Sequence, residues 1–159
     1  MRAEDKIVSQ NEAKQILAGW KKESLKTVFT NGCFDILHLG HVDYLEKSRS
    51  LGDRLILGLN TDSSVKRQNK GPERPINNEY SRARILASLF FVDLVVMFEE
   101  DTPYDIISDL IPDILVKGDD YSVENIVGAD VVIRNGGEVK TIPLVNGYST
   151  TSIINKLKS

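Results

Sequence analysis

The chain has 159 residues, 41% hydrophobic and 27% charged, with 20 basic and 23 acidic side chains giving a net charge of −3. That balance suits one folded domain with an ordinary core and excludes a disordered chain. An acidic chain also lacks the basic face that general binding to nucleic acid or to a membrane surface requires, so neither partner is expected. The single cysteine, Cys33, cannot close an internal disulfide or build a Cys-rich zinc site, and reads as the mark of a reducing compartment. Residues 1–8 lack the apolar core of a signal peptide. No run approaches the ~20 apolar residues that span a bilayer. A cytoplasmic protein is expected.

The elements alternate. Ser9 followed by Glu12 reads as a capping box that opens a helix with Ile16, Leu17 and Trp20 on one face. Thr27–Thr30 is a short strand ending in the turn Asn31-Gly32. A helix is expected from about His41 to Leu51, stopped by Gly52 at the position after its cap. Arg54–Asn60 is a second strand, followed by a short helix near Ser63–Gln68. Residues 69–78, with Gly71, Pro72 and Pro75, read as a mobile surface loop. Glu79–Phe90 is a helix and Asp93–Phe98 a third strand. Thr102 as cap and Pro103 at the first helical position begin a helix to about Leu110. Ile114–Lys117 is a fourth strand, Val123–Arg134 a helical piece, Glu138–Leu144 a fifth strand, and Ser149 caps a last helix to about Leu157.

Five apolar strands separated by helices predict parallel pairing with both faces covered. Right-handed crossovers then give an α/β, Rossmann-like doubly wound domain with a five-stranded sheet. In such sheets the ligand sits beyond the carboxyl ends of the strands, where the strand order reverses. The segments to inspect are therefore 30–41, 60–67, 99–102, 117–121 and 145–151.

The common nucleotide fingerprints are missing. There is no G-x-G-x-x-G after a strand, no G-x-x-x-x-G-K-[ST], and no G-x-S-x-G. Instead, strand one is followed by Thr30-Asn31-Gly32-Cys33-Phe34-Asp35-Ile36-Leu37-His38-Leu39-Gly40-His41, which holds both histidines of the chain. Helix starts offer free N–H groups and a partial positive charge, which suit a phosphate. Two imidazoles add donors, and Gly40 between them lets a ligand approach the backbone. A lone helical histidine is usually structural; two of two at this place point to phosphate. A metal would need a third ligand, from Asp35 or Asp43, and the pattern is weak for that.

His38-Leu39-Gly40-His41 resembles the H-x-G-H signature of the nucleotidyltransferase superfamily. The segments Asn60-Thr61-Asp62, Lys66-Arg67, Arg74-Pro75, Arg82, Glu99-Glu100-Asp101-Thr102-Pro103, Val116-Lys117-Gly118-Asp119-Asp120-Tyr121 and Ser149-Thr150-Thr151 follow in an order that resembles the heptose-1-phosphate adenylyltransferase family. The resemblance covers about residues 25–157. It implies a nucleotidyltransferase domain over 25–159 behind an N-terminal helical extension, 1–24. It is to the stand-alone version, so a separate chain is expected to supply the sugar-kinase step.

The implied reaction joins ATP and a heptose 1-phosphate into ADP-heptose and pyrophosphate, with Mg²⁺ held mostly by the triphosphate and water. This is an enzyme of lipopolysaccharide or other surface-glycan precursor synthesis, expected as a homodimer or higher oligomer. His38, His41 and Lys66 would be catalytic. Thr30, Asn31, Gly32, Cys33, Phe34, Gly40, Lys117, Gly118, Asp120, Ser149, Thr150 and Thr151 would bind the nucleotide. Asp35, Asp62, Arg74 and Arg82 would bind substrate: Asp35 and Asp62 through substrate or nucleotide hydroxyls, or by holding a histidine in its tautomer, and the arginines through phosphate, with Arg74 on a loop able to close over it.

The plainer readings stand beside these. Lys66 is a solvated helix lysine, and the resemblance raises Lys66 but not Arg67 or Lys70. Arg74 and Arg82 are surface arginines, Ser149 is a cap, and Cys33 is a packing residue. Asp119 is shared in type with glycerol-phosphate cytidylyltransferases, which keeps CTP and glycerol 3-phosphate as an alternative pair. Tyr148 stands where relatives often carry Cys. A non-catalytic nucleotide-binding regulator is the alternative from another class. A class I tRNA synthetase fragment is set aside for want of a Lys-Met-Ser-Lys-Ser-type loop and a basic face.

Overall fold

The structure is a computed structural model describing residues 1–159. The elements are β1 (Ile7–Val8), α1 (Gln10–Lys22), β2 (Thr27–Gly32), α2 (Leu39–Ser50), β3 (Arg54–Asn60), α3 (Asp62–Arg67), α4 (Glu79–Ala87), β4 (Leu94–Phe98), α5 (Tyr104–Leu110), β5 (Ile114–Gly118), α6 (Ala129–Arg134), β6 (Glu138–Ile142) and α7 (Thr150–Lys158), with short 3-10 turns at Ala3–Lys6 and Val123–Asn125. The sheet has six strands in the order β1-β4-β3-β2-β5-β6, all pairs parallel. The expected five-stranded sheet is corrected to six. The extra strand is a two-residue edge, with Ile7 opposite Val95 and Val8 opposite Val96. A pair of apolar residues inside a charged N-terminal segment carries no period that a sequence reading can detect.

Strands alternate their side chains between two packed faces. Val28, Leu55, Leu57, Val95 and Val116 enter one core with residues of α2 and α4. Phe29, Ile56, Val96, Phe98 and Leu115 enter the other with residues of α1, α5 and α6. Helices on both sides make the sheet doubly wound, as the apolar runs predicted. β6 departs from the expectation of strands buried on both faces: only Ile142 is buried, because β6 is an edge and carries charged residues there.

Other boundaries moved for local reasons. Ser9 Oγ accepts from Glu12 N at 3.1 Å, which is the forward half of the expected capping box. Pro103 itself is the N-cap of α5, so the helix starts one residue later than predicted. Gly52 is required by crowding: a Cβ there would stand 2.7 Å from Val28 Cγ2 and 2.9 Å from Lys26 O. Gly128, at φ 88°, breaks the stretch Val123–Arg134 into a 3-10 turn and α6. No helix is long and apolar enough to cross a membrane.

The chain runs from β2 outward through β3 to β4, then returns to place β5 and β6 on the other side of β2. The order reverses between β2 and β5, so a crevice opens above their carboxyl ends.

Candidate active site

A cavity of about 520 Å³ occupies that crevice. Its floor is the turn after β2, its sides are the start of α2, the end of β5 and the start of α7, and Lys70 and Arg74 enter from the segment before α4. Of the residues singled out from the sequence, Asn31, Gly32, Cys33, Phe34, Asp35, His38, Gly40, His41, Arg74, Lys117, Gly118, Asp120, Ser149, Thr150 and Thr151 line it.

His38 is the N-cap of α2 and makes no side-chain cap bond. Its ring stacks on that of His41, with centroids 3.7 Å apart and planes at 23°. Phe34 meets His41 edge to face at 5.1 Å, and its φ of 47° is an uncommon left-handed value for such a residue. A Cβ on Gly40 would stand 2.9 Å from His38 Cε1 and 3.3 Å from Tyr148 Cβ, so only glycine leaves the His38 ring where it is. The Nδ1 atoms of both histidines and Oδ1 of Asn31 are buried without a hydrogen-bond partner. Buried polar atoms normally have partners, so the cavity wall offers unspent hydrogen-bonding capacity.

Burial pushes His38 below the ordinary imidazole range. Burial, with the positive charges of His38 and Lys70, pushes His41 down to about 4. Both rings are therefore neutral at pH 7. An anion beside them would favour the protonated form.

Thr30 lies beneath the cavity. Its Oγ1 donates to Val116 O at 3.0 Å and meets the Tyr44 hydroxyl at 2.7 Å, tying β2, β5 and α2 together. Burial raises Tyr44 far above the ordinary phenol range. Lys117, at the end of β5, is pushed down to about 8 by burial, against the opposing pull of Asp120 and Cys33. Its Nζ is 5.7 Å from the Tyr121 ring centre. On the far wall Ser149 caps α7, accepting from Ser152 N at 3.0 Å, and Thr150 Oγ1 donates to Ile36 O at 3.4 Å.

Asp35 lines the cavity and is held in place by its partners. Its carboxylate accepts from Arg74 Nε at 2.7 Å, Ile76 N at 2.8 Å and Asn77 N at 2.9 Å. Burial alone would raise its pKa; the donors Asn77, Ile76 and Arg74 outweigh that and hold it low. The segment read as a mobile loop is thereby latched to the turn after β2. Arg74 spends only Nε on Asp35, and its guanidinium faces the cavity.

Arg82, Asp62 and Lys66 stand outside the cavity. The fully buried Arg82 donates to Asn77 O, Cys33 O and Asn60 O and to Asp62 Oδ1, at 2.8 or 2.9 Å each. It braces β2, β3 and α4, and Asp62 is its counter-ion. Lys66 is exposed on α3. Lys70, which the resemblance did not raise, is exposed and also lines the cavity, with Nζ 3.4 Å from Cys33 Sγ. Asn69, at φ 56°, turns the chain there. Asparagine tolerates that conformation, and the Asn-Lys-Gly sequence is the signal available for it. Tyr44, Tyr121, Leu144, Val145 and Tyr148 complete the lining.

Residues 29–156 match the cytidylyltransferase-like family. The chain belongs to that family. It is 56% identical over 155 residues to the bifunctional protein HldE of Magnetococcus marinus, covering 98% of this chain and 32% of that one. To the protein of the same name from Mesorhizobium japonicum it is 55% identical, over 98% of this chain and 31% of that one. The chain thus spans about a third of the length of these curated relatives. Among solved structures, the lipopolysaccharide core biosynthesis protein of Thermoplasma volcanium superposes with a TM-score of 0.62 at 30% identity, over 79% of this chain and 99% of that one. A pantoate-beta-alanine ligase from Francisella tularensis, solved with beta-gamma ATP and beta-alanine, gives 0.60 at 15% identity over 96% of this chain and 76% of that one, and shares the fold.

A second cavity of about 340 Å³ adjoins the first. Asn31, Gly32, Cys33, Lys70, Lys117 and Tyr121 line both. Two compartments that share a wall bearing two lysines can bring two anionic molecules together at one point.

Proposed function

We propose that the chain transfers the adenylyl group of ATP to a heptose 1-phosphate, giving ADP-heptose and pyrophosphate for surface-glycan precursor synthesis. The observation that carries this is the stacked pair His38 and His41 at the start of α2, with both Nδ1 atoms unpartnered and the capped start of α7 across the same cavity. The resemblance to heptose-1-phosphate adenylyltransferases and the name of the Thermoplasma structure support the choice of acceptor class.

In this reading an oxygen of the sugar phosphate attacks the α-phosphorus of ATP. The bond from that phosphorus to the bridging oxygen breaks, and pyrophosphate leaves with the electron pair. The protein's task is to position and to stabilise charge. The histidines donate to α-phosphate oxygens, whose charge grows in the transition state. The hydroxyls and N–H groups of Ser149, Thr150 and Thr151 hold the outer phosphates at a helix start. Lys70, Lys117 and Arg74 offset the charge of two anionic substrates. Mg²⁺ would arrive on the triphosphate as part of the substrate, as is usual for this ion. An ATP-consuming step of this kind belongs in the cytoplasm.

The test is pyrophosphate release from the purified chain with heptose 1-phosphate or glycerol 3-phosphate, each with ATP, CTP and GTP. The proposal expects turnover with heptose 1-phosphate and ATP. Turnover confined to glycerol 3-phosphate and CTP, or none at all, defeats it.

A further inference from the structure

Granting the proposed function, we infer that the second cavity is the acceptor compartment, and that Thr102 and Asn125 on its outer wall read the hydroxyls of a polyol phosphate whose phosphate faces Lys70 and Lys117. The 340 Å³ volume is at the small end of ligand pockets, ~300–1,000 Å³, and suits a sugar phosphate rather than a nucleotide.

The lining matches that chemistry. Amide side chains come from four elements or turns: Asn31 near the end of β2, Asn60 at the end of β3, Gln68 after α3, and Asn125 in the 3-10 turn before α6. Asn60 Nδ2 already donates to Ser64 Oγ, Asn125 Nδ2 donates to Ser122 Oγ, and Gln68 Oε1 accepts from Cys33 Sγ; the amide donors and acceptors that remain suit adjacent sugar hydroxyls. Oδ1 of Asn31 is buried and unpartnered at the wall the two cavities share. The turn after β4 adds Asp101 and Thr102.

Positive charge is confined to one side. Lys70 and Lys117 stand on the shared wall, and they are the only cationic side chains lining this cavity. The outer wall is neutral or acidic. An acceptor with one anionic end and a hydroxylated body therefore has one favourable orientation, with its phosphate toward the nucleotide compartment. At the exposed rim, Arg67 Nε donates to Asp101 Oδ1 at 2.7 Å and its other arm reaches Glu99 O. The segment Glu99–Thr102 lies just after a strand, at the sheet end where ligands bind, and the adenylyl-transfer steps above leave it without a task.

The experiment compares the wild-type chain with Thr102→Val and Asn125→Leu, singly and combined. Calorimetry measures the Kd of heptose 1-phosphate, glycerol 3-phosphate, inorganic phosphate and ATP, each alone. Steady-state assays measure both KM values. A lost hydrogen bond is worth about 2- to 10-fold, so the combined variant is expected to weaken heptose 1-phosphate about 10-fold or more. ATP and inorganic phosphate should keep their affinity, and unchanged ATP binding also shows that the variants fold. Turnover with an unchanged KM for the sugar phosphate in the combined variant overturns this assignment and leaves the proposed function standing. Sugar-phosphate binding that the variants weaken, without turnover in the wild type, upholds the compartment and defeats the function. Absence of any sugar-phosphate binding overturns the assignment.

Discussion

Arg74 Nε lies 2.7 Å from Asp35 Oδ2, and the two side chains are 7% and 0% exposed. The pair joins residues 39 positions apart and fastens the segment before α4 to the turn that leads into the histidine pair. Removing one member of a buried pair strands the other, at a cost of about 3–5 kcal/mol. Asp35→Ala is expected to cost more than Arg74→Ala, because it also strands the N–H groups of Ile76 and Asn77. The double variant should lose less than the sum of the singles. Urea unfolding of the four proteins measures this; additive losses would remove the latch from the account.

Arg82 makes four side-chain hydrogen bonds inside the protein. Arg82→Met keeps the bulk and orphans the carbonyls of Cys33, Asn60 and Asn77. The expected cost is about 2–4 kcal/mol of stability, with the KM values of the folded enzyme nearly unchanged. A variant of normal stability and a greatly raised acceptor KM would make Arg82 a substrate contact instead.

The pH dependence of stability follows from His41. Its folded pKa is depressed to about 4, below the ~6.5 of an unfolded histidine. The neutral form is favoured in the fold, so the unfolded chain binds more protons between these values. Stability is full above about pH 6.5 and falls as pH drops toward 4, by about 1–3 kcal/mol for this group. Asp35, held low, adds its own loss only at more acidic pH, as pH falls through its depressed folded pKa. Thermal melts from pH 8 to 4 should show the first decline in wild type and lose it in His41→Asn. Binding of ATP near pH 6 should take up protons, seen as a dependence of the calorimetric heat on buffer. A flat melt series would contradict the burial of His41.

Lys70 and Lys66 lie on opposite sides of the cavity boundary. Lys70→Ala is expected to lower kcat/KM about 10- to 100-fold, the range for a hydrogen bond to a charged group. Lys66→Ala should stay within about twofold, as exposed substitutions do. Steady-state kinetics on both settle which lysine serves the phosphates; the reverse order would require α3 to rearrange on binding.

These two lysines show where the sequence stops being legible. The strand Arg54–Asn60 was readable because its apolar run is continuous, and the cavity-lining place of His38, Gly40 and His41 because both histidines flank Gly40 after a strand. The place of Lys70 in the cavity wall depends on a left-handed Asn69, a backbone detail that propensity alone leaves open. The latch depends on Asp35 meeting Arg74 across the fold, and the bracing role of Arg82 on carbonyls from three distant segments. β1 was missed because two apolar residues have no period, and β6 starts at Glu138 as expected but ends at Ile142, two residues before the expected Leu144.

The central claim is that the histidine pair acts on charge that develops during transfer at the α-phosphorus. Pre-steady-state and steady-state pyrophosphate release by His41→Asn, with heptose 1-phosphate and ATP, tests it most directly. The account predicts kcat lowered about 10²- to 10³-fold, with the Kd of ATP within a few-fold of wild type. An unchanged kcat with ATP affinity lost in proportion would contradict it, and would make His41 a ground-state contact only.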